Sequence, residues 1–520
     1  MVRFLKSVVH IIRYFFSRAA LTVFAILVEL FFVLALYQGL ESSFTWIESV
    51  LHLLAVIVAL YLAATSRHLS SDLLWIMLVM AFPVGGFLIY ALFEGVSSRS
   101  SRLYRNIIAQ TKGAVKYYQQ DSAVLEGARK ASADYPGQME YISSCEHFPV
   151  YRNASYTYYP CGEEGYPAML EALKSAEKFI FMEYFTIEPG KMWDGILAIL
   201  EEKAAEGVEV RVMYDDMGSF LSLPISYTKE LEKKGIRSTC FNRINPFLNG
   251  VMNHRDHRKI LVIDGKTAFT GGINIADEYI NETHPYGYWK DNCVRITGEA
   301  VWSFTVMFLT NWNAVRKTDE DFACYHVPQK EKSLFDGFVA PYGETPLDDE
   351  LLGQTIYMNI INQARHYVYI FTPYLVIDSD MRNCLIAAAQ RGIDVRLITP
   401  GIPDKKMVYT ITRSFYPELI SKGVKIYEYT PGFDHAKVFA CDDVIATVGT
   451  LNLDYRSLYL HFEDGTYLYG SREVLKIRDD MLQSMEKSHL VSLEEHRKNA
   501  FAGLFYLIFV GFLRLLAPFF

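Results

Sequence analysis

The stretch His257-Arg-Lys259-Ile-Leu-Val-Ile-Asp264 returns later in the chain as His435-Ala-Lys437-Val-Phe-Ala-Cys-Asp442. Both read His-x-Lys-x4-Asp, and both lead into a small-residue turn and an asparagine, Gly271-Gly272-Ile-Asn274 and Gly449-Thr450-Leu-Asn452. The His-to-Asn spacing is 17 in each copy (274 − 257 and 452 − 435). Lys259-Ile-Leu-Val-Ile and Lys437-Val-Phe-Ala read as buried strands ending in an Asp turn. Alternation along a strand then puts each imidazole and its ammonium on one side. Two matched sets of His, Lys and Asn are what a phosphodiester-transferring site across a pseudo-twofold axis needs.

The frame around the motifs also repeats. Leu173-Lys-Ser-Ala-Glu-Lys-Phe-Ile-Phe-Met-Glu-Tyr184 matches Ile361-Asn-Gln-Ala-Arg-His-Tyr-Val-Tyr-Ile-Phe-Thr-Pro-Tyr374, and Glu206-Gly207-Val-Glu-Val-Arg211 matches Arg391-Gly392-Ile-Asp-Val-Arg396. Each copy predicts helix, strand, helix with a glycine stop, strand, then the His-Lys motif. Residues 316–350 read as the join. The expected fold class is α/β, with two repeats packed about a pseudo-twofold axis.

Both ends of the chain are apolar. Of 520 residues, 51% are hydrophobic, and the excess lies at the termini. Residues 1–19 mix Arg3, Lys6, Arg13 and Arg18 with apolar side chains, as in a membrane-entry helix. Apolar runs follow over 20–38, 46–64 and 73–93, each near the ~20 residues that cross a hydrocarbon core. Glu29 lies in the first run, and Pro83-Val-Gly85-Gly86 interrupts the third with a kink or a re-entrant turn. Basic residues at the N-terminus and at the exit (Arg99, Arg102, Arg105, Lys112) place both on the inside. Two spans plus one re-entrant segment satisfy that, and three spans do not. The expectation is a multi-pass cell-membrane protein with a cytoplasmic catalytic region. Phe501 to Phe520 is either a helix on the bilayer or a closing helix on the domain. The resulting division is a membrane-anchoring region over 1–95, a connecting segment over 96–139, repeats over 140–325 and 326–495, and an apolar tail over 496–520.

A net charge of −8 disfavours a nucleic-acid partner. Seven scattered cysteines without CxxC spacing read as ordinary thiols. His254 and His257 have HxxH spacing but no further ligands nearby, so neither metal nor other cofactor is expected. His284, His366 and His461 read as structural or surface groups.

The chemistry follows from the substrate's charge. A phosphodiester repels nucleophiles, so a catalyst needs cations on the non-bridging oxygens, a nucleophile, and an acid for the leaving alkoxide. Lys259 and Lys437 supply the cations, and Asn274 and Asn452 donate to the same oxygens. One histidine attacks phosphorus while the other serves as acid and then base. A carboxylate behind each imidazole would hold its tautomer, and the candidates are Asp291 and Glu463. Asp264 and Asp442 lie five residues past each lysine, where alternation turns them to the opposite face and favours a structural role at the turn.

These residues resemble the paired His-Lys-Asp motifs of the phospholipase D superfamily over roughly 140–490, and more narrowly the bacterial cardiolipin synthases. Trp75 to Tyr90, Asn253-His254-Arg-Asp-His257-Arg-Lys259, Leu451-Asn452-Leu-Asp454-Tyr-Arg456-Ser457, Phe462-Glu463 and Arg514-Leu-Leu-Ala-Pro518 carry the likeness. His461 stands where that family usually has Asn, and the extra N-terminal run departs from its commoner two-span plan. The resemblance counts Asp264 and Asp442 with the catalytic set and implies His257 as nucleophile and His435 as acid and base. It also implies joining of two phosphatidylglycerol molecules into cardiolipin with release of glycerol, without metal or nucleotide. Hydrolysis to phosphatidic acid and other head-group transfers use the same chemistry and stay open. A nuclease fits the charge and the apolar ends poorly, and an inert scaffold would not need both motifs.

Overall fold

The computed structural model describes residues 45–65, 69–90, 101–244, 253–328, 337–495 and 503–517, with isolated positions between 27 and 38. Two compact units divide the chain, one of residues 1–105 with 242–254 and one of residues 106–241 with 255–520.

The larger unit holds both repeats. In the first, the strands are β1 (Ala154–Tyr159), β2 (Phe179–Tyr184), β3 (Glu209–Asp215), β4 (Arg237–Phe241), β5 (Lys259–Ile263), β6 (Thr267–Gly271), β7 (Tyr288–Lys290) and β8 (Cys293–Gly298). In the second they are β9 (Phe338–Glu344), β10 (Tyr367–Phe371), β11 (Leu375–Val376), β12 (Asp394–Pro400), β13 (Lys425–Tyr429), β14 (Gly432–Asp434), β15 (Val438–Cys441), β16 (Ile445–Gly449), β17 (Leu453–Asp454), β18 (Glu463–Tyr469) and β19 (Ser488–Leu490). The sheet orders are β1-β8-β6-β5-β2-β3-β4 and β19-β13-β12-β10-β15-β16-β18-β9. Apart from β19, the second order repeats the first strand for strand. In each repeat three strands run parallel (β2-β3-β4 and β10-β12-β13), and the motif strand, β5 or β15, pairs antiparallel to the first of them.

The central strands are covered on both faces, which is why they read as unbroken apolar runs. Every residue of β2 and β5 is buried. Helix Val301–Arg316 lies on the first sheet and reaches β9 of the second, while helix Glu473–Glu486 lies on the second sheet and reaches β1 of the first. The helix Val301–Arg316 is buried nearly all round, so it shows no single polar stripe in the sequence. Its buried Asn311 donates to the Glu183 carboxylate at 2.8 Å.

Two short contacts join the repeats in register. Parallel pairing of β14 with β7 sets Asp434 beside Lys290, and a parallel bridge sets Asp256 beside Phe462. One residue further on, His435 stands beside Asp291 and His257 beside Glu463.

At the C-terminus, helix Gly503–Leu515 packs on helix Lys406–Ser421. The Arg514 guanidinium donates to the Ser414 carbonyl at 2.8 Å and stacks on the Phe415 ring at 4.2 Å. Ile508, Phe509 and Phe512 remain exposed. The tail closes on the domain through one face and leaves an apolar face outward.

In the smaller unit, helices Thr45–Thr65, Leu69–Ala81 and Pro83–Tyr90 pack together. The run over 73–93, for which Pro83-Val-Gly85-Gly86 predicted a kink or a re-entrant turn, breaks at Pro83 and doubles back. A Cβ on Gly86 would stand 2.3 Å from the Leu78 carbonyl oxygen, and the rings of Trp75 and Tyr90 lie 5.7 Å apart. A continuous helix would separate those two rings by roughly 22 Å at 1.5 Å per residue. Side chains of helix Thr45–Thr65 are described from Val50 onward, and the run over 20–38 lies mostly outside the described residues. No helix among the described residues is long and apolar enough to cross a membrane, so the expected N-terminal transmembrane helices are not met there.

Candidate active site

Both motif histidines open into one cavity of about 410 Å³. His257, Asn274, His435 and Asn452 line it together with Phe185, Tyr279, Trp289, Arg255, Arg456 and His461. The repeats therefore converge on a single space from opposite sides.

The two imidazoles are held alike, and each by the other repeat. His257 Nδ1 lies 2.8 Å from Glu463 Oε2, and His435 Nδ1 lies 2.7 Å from Asp291 Oδ2. The backbone repeats the exchange: His257 N–H donates to the Phe462 carbonyl at 2.8 Å and His435 N–H to the Lys290 carbonyl at 2.7 Å. A carboxylate accepting at Nδ1 leaves the Nε2 lone pair of the neutral ring as the reactive position. Aromatic edges fix the ring planes. Phe185 meets His257 with centroids 5.0 Å apart, and Tyr279 and Trp289 meet His435 at 5.5 and 5.4 Å.

The lysines fold back over their own motifs. Lys259 Nζ donates to the His257 carbonyl at 2.8 Å, and Lys437 Nζ donates to the His435 carbonyl. Burial, opposed by Glu463 and Asp464, lowers Lys259 to about 8. Burial, opposed by Asp291, lowers Lys437 to about 7. His435 is lowered to about 4 by burial and by Lys437, with Asp291 pulling the other way. Burial, then the Lys259 charge, takes His257 well below the usual imidazole range, and burial raises the Glu463 carboxyl. The site without substrate thus favours neutral imidazoles. An arriving phosphodiester anion offsets the lysine charges and favours an imidazolium beside it.

Asn274 has a side-chain oxygen accepting from Thr186 N–H at 3.2 Å and an amide donating to Tyr279 Oη at 2.8 Å. Asn452 is buried on the opposite wall. Asp264 and Asp442 do not join this cluster, which corrects their grouping with the catalytic residues. Asp264 accepts from the N–H groups of Glu177, Lys178 and Phe179 at 2.9, 2.7 and 2.9 Å. Asp442 accepts from those of Arg365, His366 and Tyr367 at 2.7, 2.9 and 2.8 Å. Both sit at positive φ, 54° and 52°, at the far end of the motif strand. They pin the start of β2 or β10 to the end of β5 or β15.

Three cavity residues went unassigned in the sequence. His461, expected to be structural or on the surface, faces the cavity with its ring centroid 5.6 Å from that of His257. Its Nδ1 stands 3.6 Å from Glu463 Oε1, and its Nε2 accepts from Arg456 Nε at 3.1 Å. Arg255 precedes His257 by two residues, so strand alternation already placed it on the same side. Arg456 gave no signal beyond the quoted resemblance. Among the described residues, His257, His461 and Glu463 bring ligand atoms within 4.8 Å of one another, a spacing that a metal ion accepts. The nearby Lys259 and Arg456 cations oppose a divalent ion at that point.

The family model described as "Cardiolipin synthase, PLD-like domain" matches residues 169–300 and 357–485, one match per repeat. A protein labelled cardiolipin synthase from Alkalihalophilus pseudofirmus is 33% identical over 503 residues, covering 96% of this chain and 99% of the relative. The chain belongs to the cardiolipin synthase family. It is a phospholipid phosphatidyltransferase of the phospholipase D superfamily. An uncharacterized protein from Streptococcus mutans is 46% identical over 436 residues, 83% of this chain and 94% of the relative. Among solved structures, phosphatidylserine synthase from Haemophilus influenzae superposes with a TM-score of 0.57 at 15% identity, covering 73% of this chain and 97% of that one, which speaks to the fold.

Proposed function

We propose that the enzyme moves a phosphatidyl group from one phosphatidylglycerol to a hydroxyl of a second, giving cardiolipin and glycerol at a membrane surface. The observation that carries this reading is the shared cavity with two carboxylate-backed imidazoles, one from each repeat. His257 Nε2 attacks phosphorus, the bond to the glycerol oxygen breaks, and His435 gives that oxygen a proton. A phosphatidyl group then sits on His257. His435 next takes the proton of the incoming hydroxyl, the new P–O bond forms, and the P–N bond to His257 breaks. Lys259, Lys437, Asn274 and Asn452 hold the non-bridging oxygens throughout.

The assignment of roles rests on environment. Burial lowers both rings, but His257, further depressed by Lys259, His461 and Lys437, falls well below its usual range, whereas Asp291 pulls His435 back up against Lys437. The less basic ring suits the nucleophile and the more basic one the acid. Asp264 and Asp442 receive no chemical step.

A membrane location is part of the proposal. In helix Thr45–Thr65 the small Ala55 and Ala59 are buried against neighbouring helices while Leu53, Leu54, Ile57 and Leu60 face outward. Small residues inside and large apolar ones outside is the packing pattern of helices in lipid. The folded-back segment Leu69 to Tyr90 fits a re-entrant element, and the exposed Phe509 and Phe512 of the tail fit a bilayer contact. We place the catalytic unit on the cytoplasmic side, as the flanking basic residues favour.

The test is product analysis. Full-length protein in detergent micelles with labelled phosphatidylglycerol should yield cardiolipin and glycerol in equal amounts, and EDTA should leave the rate unchanged. Phosphatidic acid as sole product would refute the transferase reading.

A further inference from the structure

A synthase that joins two phosphatidylglycerols must hold two phosphodiesters in one complex, separated by a single glycerol. The His, Lys and Asn cluster provides for one of them. On the wall beside it, the cavity is lined by two guanidiniums, Arg255 and Arg456, together with the His461 imidazole. Arg255 lies on the His257 side of its strand. Its neighbours Asp256 and Arg258 turn away, Arg258 Nε donating to the Glu463 carbonyl at 3.1 Å. His461 lies on the Glu463 side of the parallel segment. Arg456, on the short helix Tyr455–Tyr459, donates to His461.

Burial and then the Arg255 charge disfavour the Arg456 guanidinium, while Asp454 and Asp215 favour it. Asp454 and Asp215 offset the charge on this wall in part, and each also accepts from backbone N–H groups. Asp215 pairs with Arg255 at 3.7 Å and also accepts from the N–H groups of Met217, Gly218 and Asp256. Asp454 accepts from Ser457 N–H at 2.8 Å and caps the short helix. Lys405 borders the same cavity beside Asp404. Planar guanidiniums suit a phosphodiester because two N–H donors meet two oxygens at once.

We propose that Arg255, Arg456 and His461 form a second phosphodiester subsite that holds the acceptor lipid's phosphate, presenting its glycerol hydroxyl to the phosphohistidine. The subsite rests on the transferase reading above and adds to it the reason that the acceptor is a phospholipid rather than water or a plain alcohol.

The experiment uses the full-length protein in detergent micelles with labelled phosphatidylglycerol as donor. Two soluble acceptors compete at equal concentration: glycerol, which is neutral, and glycerophosphoglycerol, which carries the phosphodiester. The wild-type protein should prefer the phosphodiester acceptor at least tenfold. Arg456→Gln should reduce that preference about tenfold, the effect of one charge-assisted hydrogen bond, with Arg456→Lys between the two. The reading is a ratio of products, so a lower amount of active protein does not alter it. Equal use of both acceptors by the wild type, or an undiminished preference in Arg456→Gln, would overturn the subsite. The wild-type competition decides alone if the variant does not fold. Inorganic phosphate at the same concentration should leave the ratio unmoved. Loss of the preference in its presence would make the cluster a site for free phosphate and end the assignment. Formation of phosphatidic acid only, whatever alcohol is offered, would refute the transferase reading itself, whereas transfer without preference refutes the subsite alone.

Discussion

Replacing Asp291 by Asn tests the exchange of carboxylates between repeats. The change keeps the shape of the side chain but removes its charge at a buried contact 2.7 Å from His435 Nδ1. A charge-assisted hydrogen bond is worth about 1.5–3 kcal/mol. The imidazolium that forms during transfer also loses an opposite charge at ~4 Å, or about 4 kcal/mol at an effective dielectric of ~20. These terms describe one contact from two sides and do not add, so the barrier should rise by about 3–4 kcal/mol. That is a fall in kcat of roughly 10²–10³. The variant's amide also lets His435 hold its proton on Nε2, which removes the lone pair that must accept the acceptor's proton. Turnover should therefore suffer more than donor binding. The assay is cardiolipin formation from labelled phosphatidylglycerol at saturating substrate, with thermal unfolding of the same preparation as control. A folded Asp291→Asn protein within threefold of wild-type kcat would refute the idea that Asp291 orients His435.

The corresponding change on the other side, Glu463→Gln, should slow formation of the phosphatidyl-enzyme, measured as the first labelled protein species after rapid mixing. His257→Ala and His435→Ala should each abolish turnover. Label trapped on His257 in the His435 variant would support the assigned roles, and label on His435 in the His257 variant would reverse them. On the alkaline side, kcat/KM should fall as pH rises through 7 to 8, because Lys437 and Lys259 in the free enzyme lose their protons near about 7 and about 8. A profile flat to pH 9.5 would contradict this. On the acid side, His435 has a folded-state value of about 4, below the unfolded ~6.5, so the unfolded chain binds more protons. Stability is then full above pH 6.5 and is lost as pH falls towards 4, by about 3 kcal/mol from this group. The loss should be smaller in His435→Gln when followed by denaturant titration. Asp264→Ala leaves three backbone N–H groups without their acceptor, and it should lower the melting temperature by several degrees, about 1–3 kcal/mol. A loss of kcat with an unchanged melting temperature would put Asp264 back into the chemistry.

The repeat was legible because it is written in local chemistry: the same motif, the same spacing of 17 and the same glycine stops. Alternation separated His257 and Lys259 from Asp264, and the structure seats Asp264 at the far end of the strand. Both supporting carboxylates were visible as candidates, but their partners were not. Spacing along one repeat says nothing about which histidine Asp291 meets, because that contact runs through pairing of β14 with β7. His461 was passed over because a single histidine beside a turn carries no periodic signal. Only the fold sets it against Glu463 and Arg456. Pro83 announced a kink, whereas the return of Tyr90 to Trp75 depends on how closely Gly86 approaches Leu78.

The crossed pairing of His257 with Glu463 and His435 with Asp291 means that neither half of the molecule owns a working acid–base pair. A fragment carrying one repeat would possess an imidazole without its counter-charge. Until the halves have docked, neither imidazole has a carboxylate behind it. The same crossing ties the two copies to each other's drift: a change at the carboxylate of one is felt first at the histidine of its sibling.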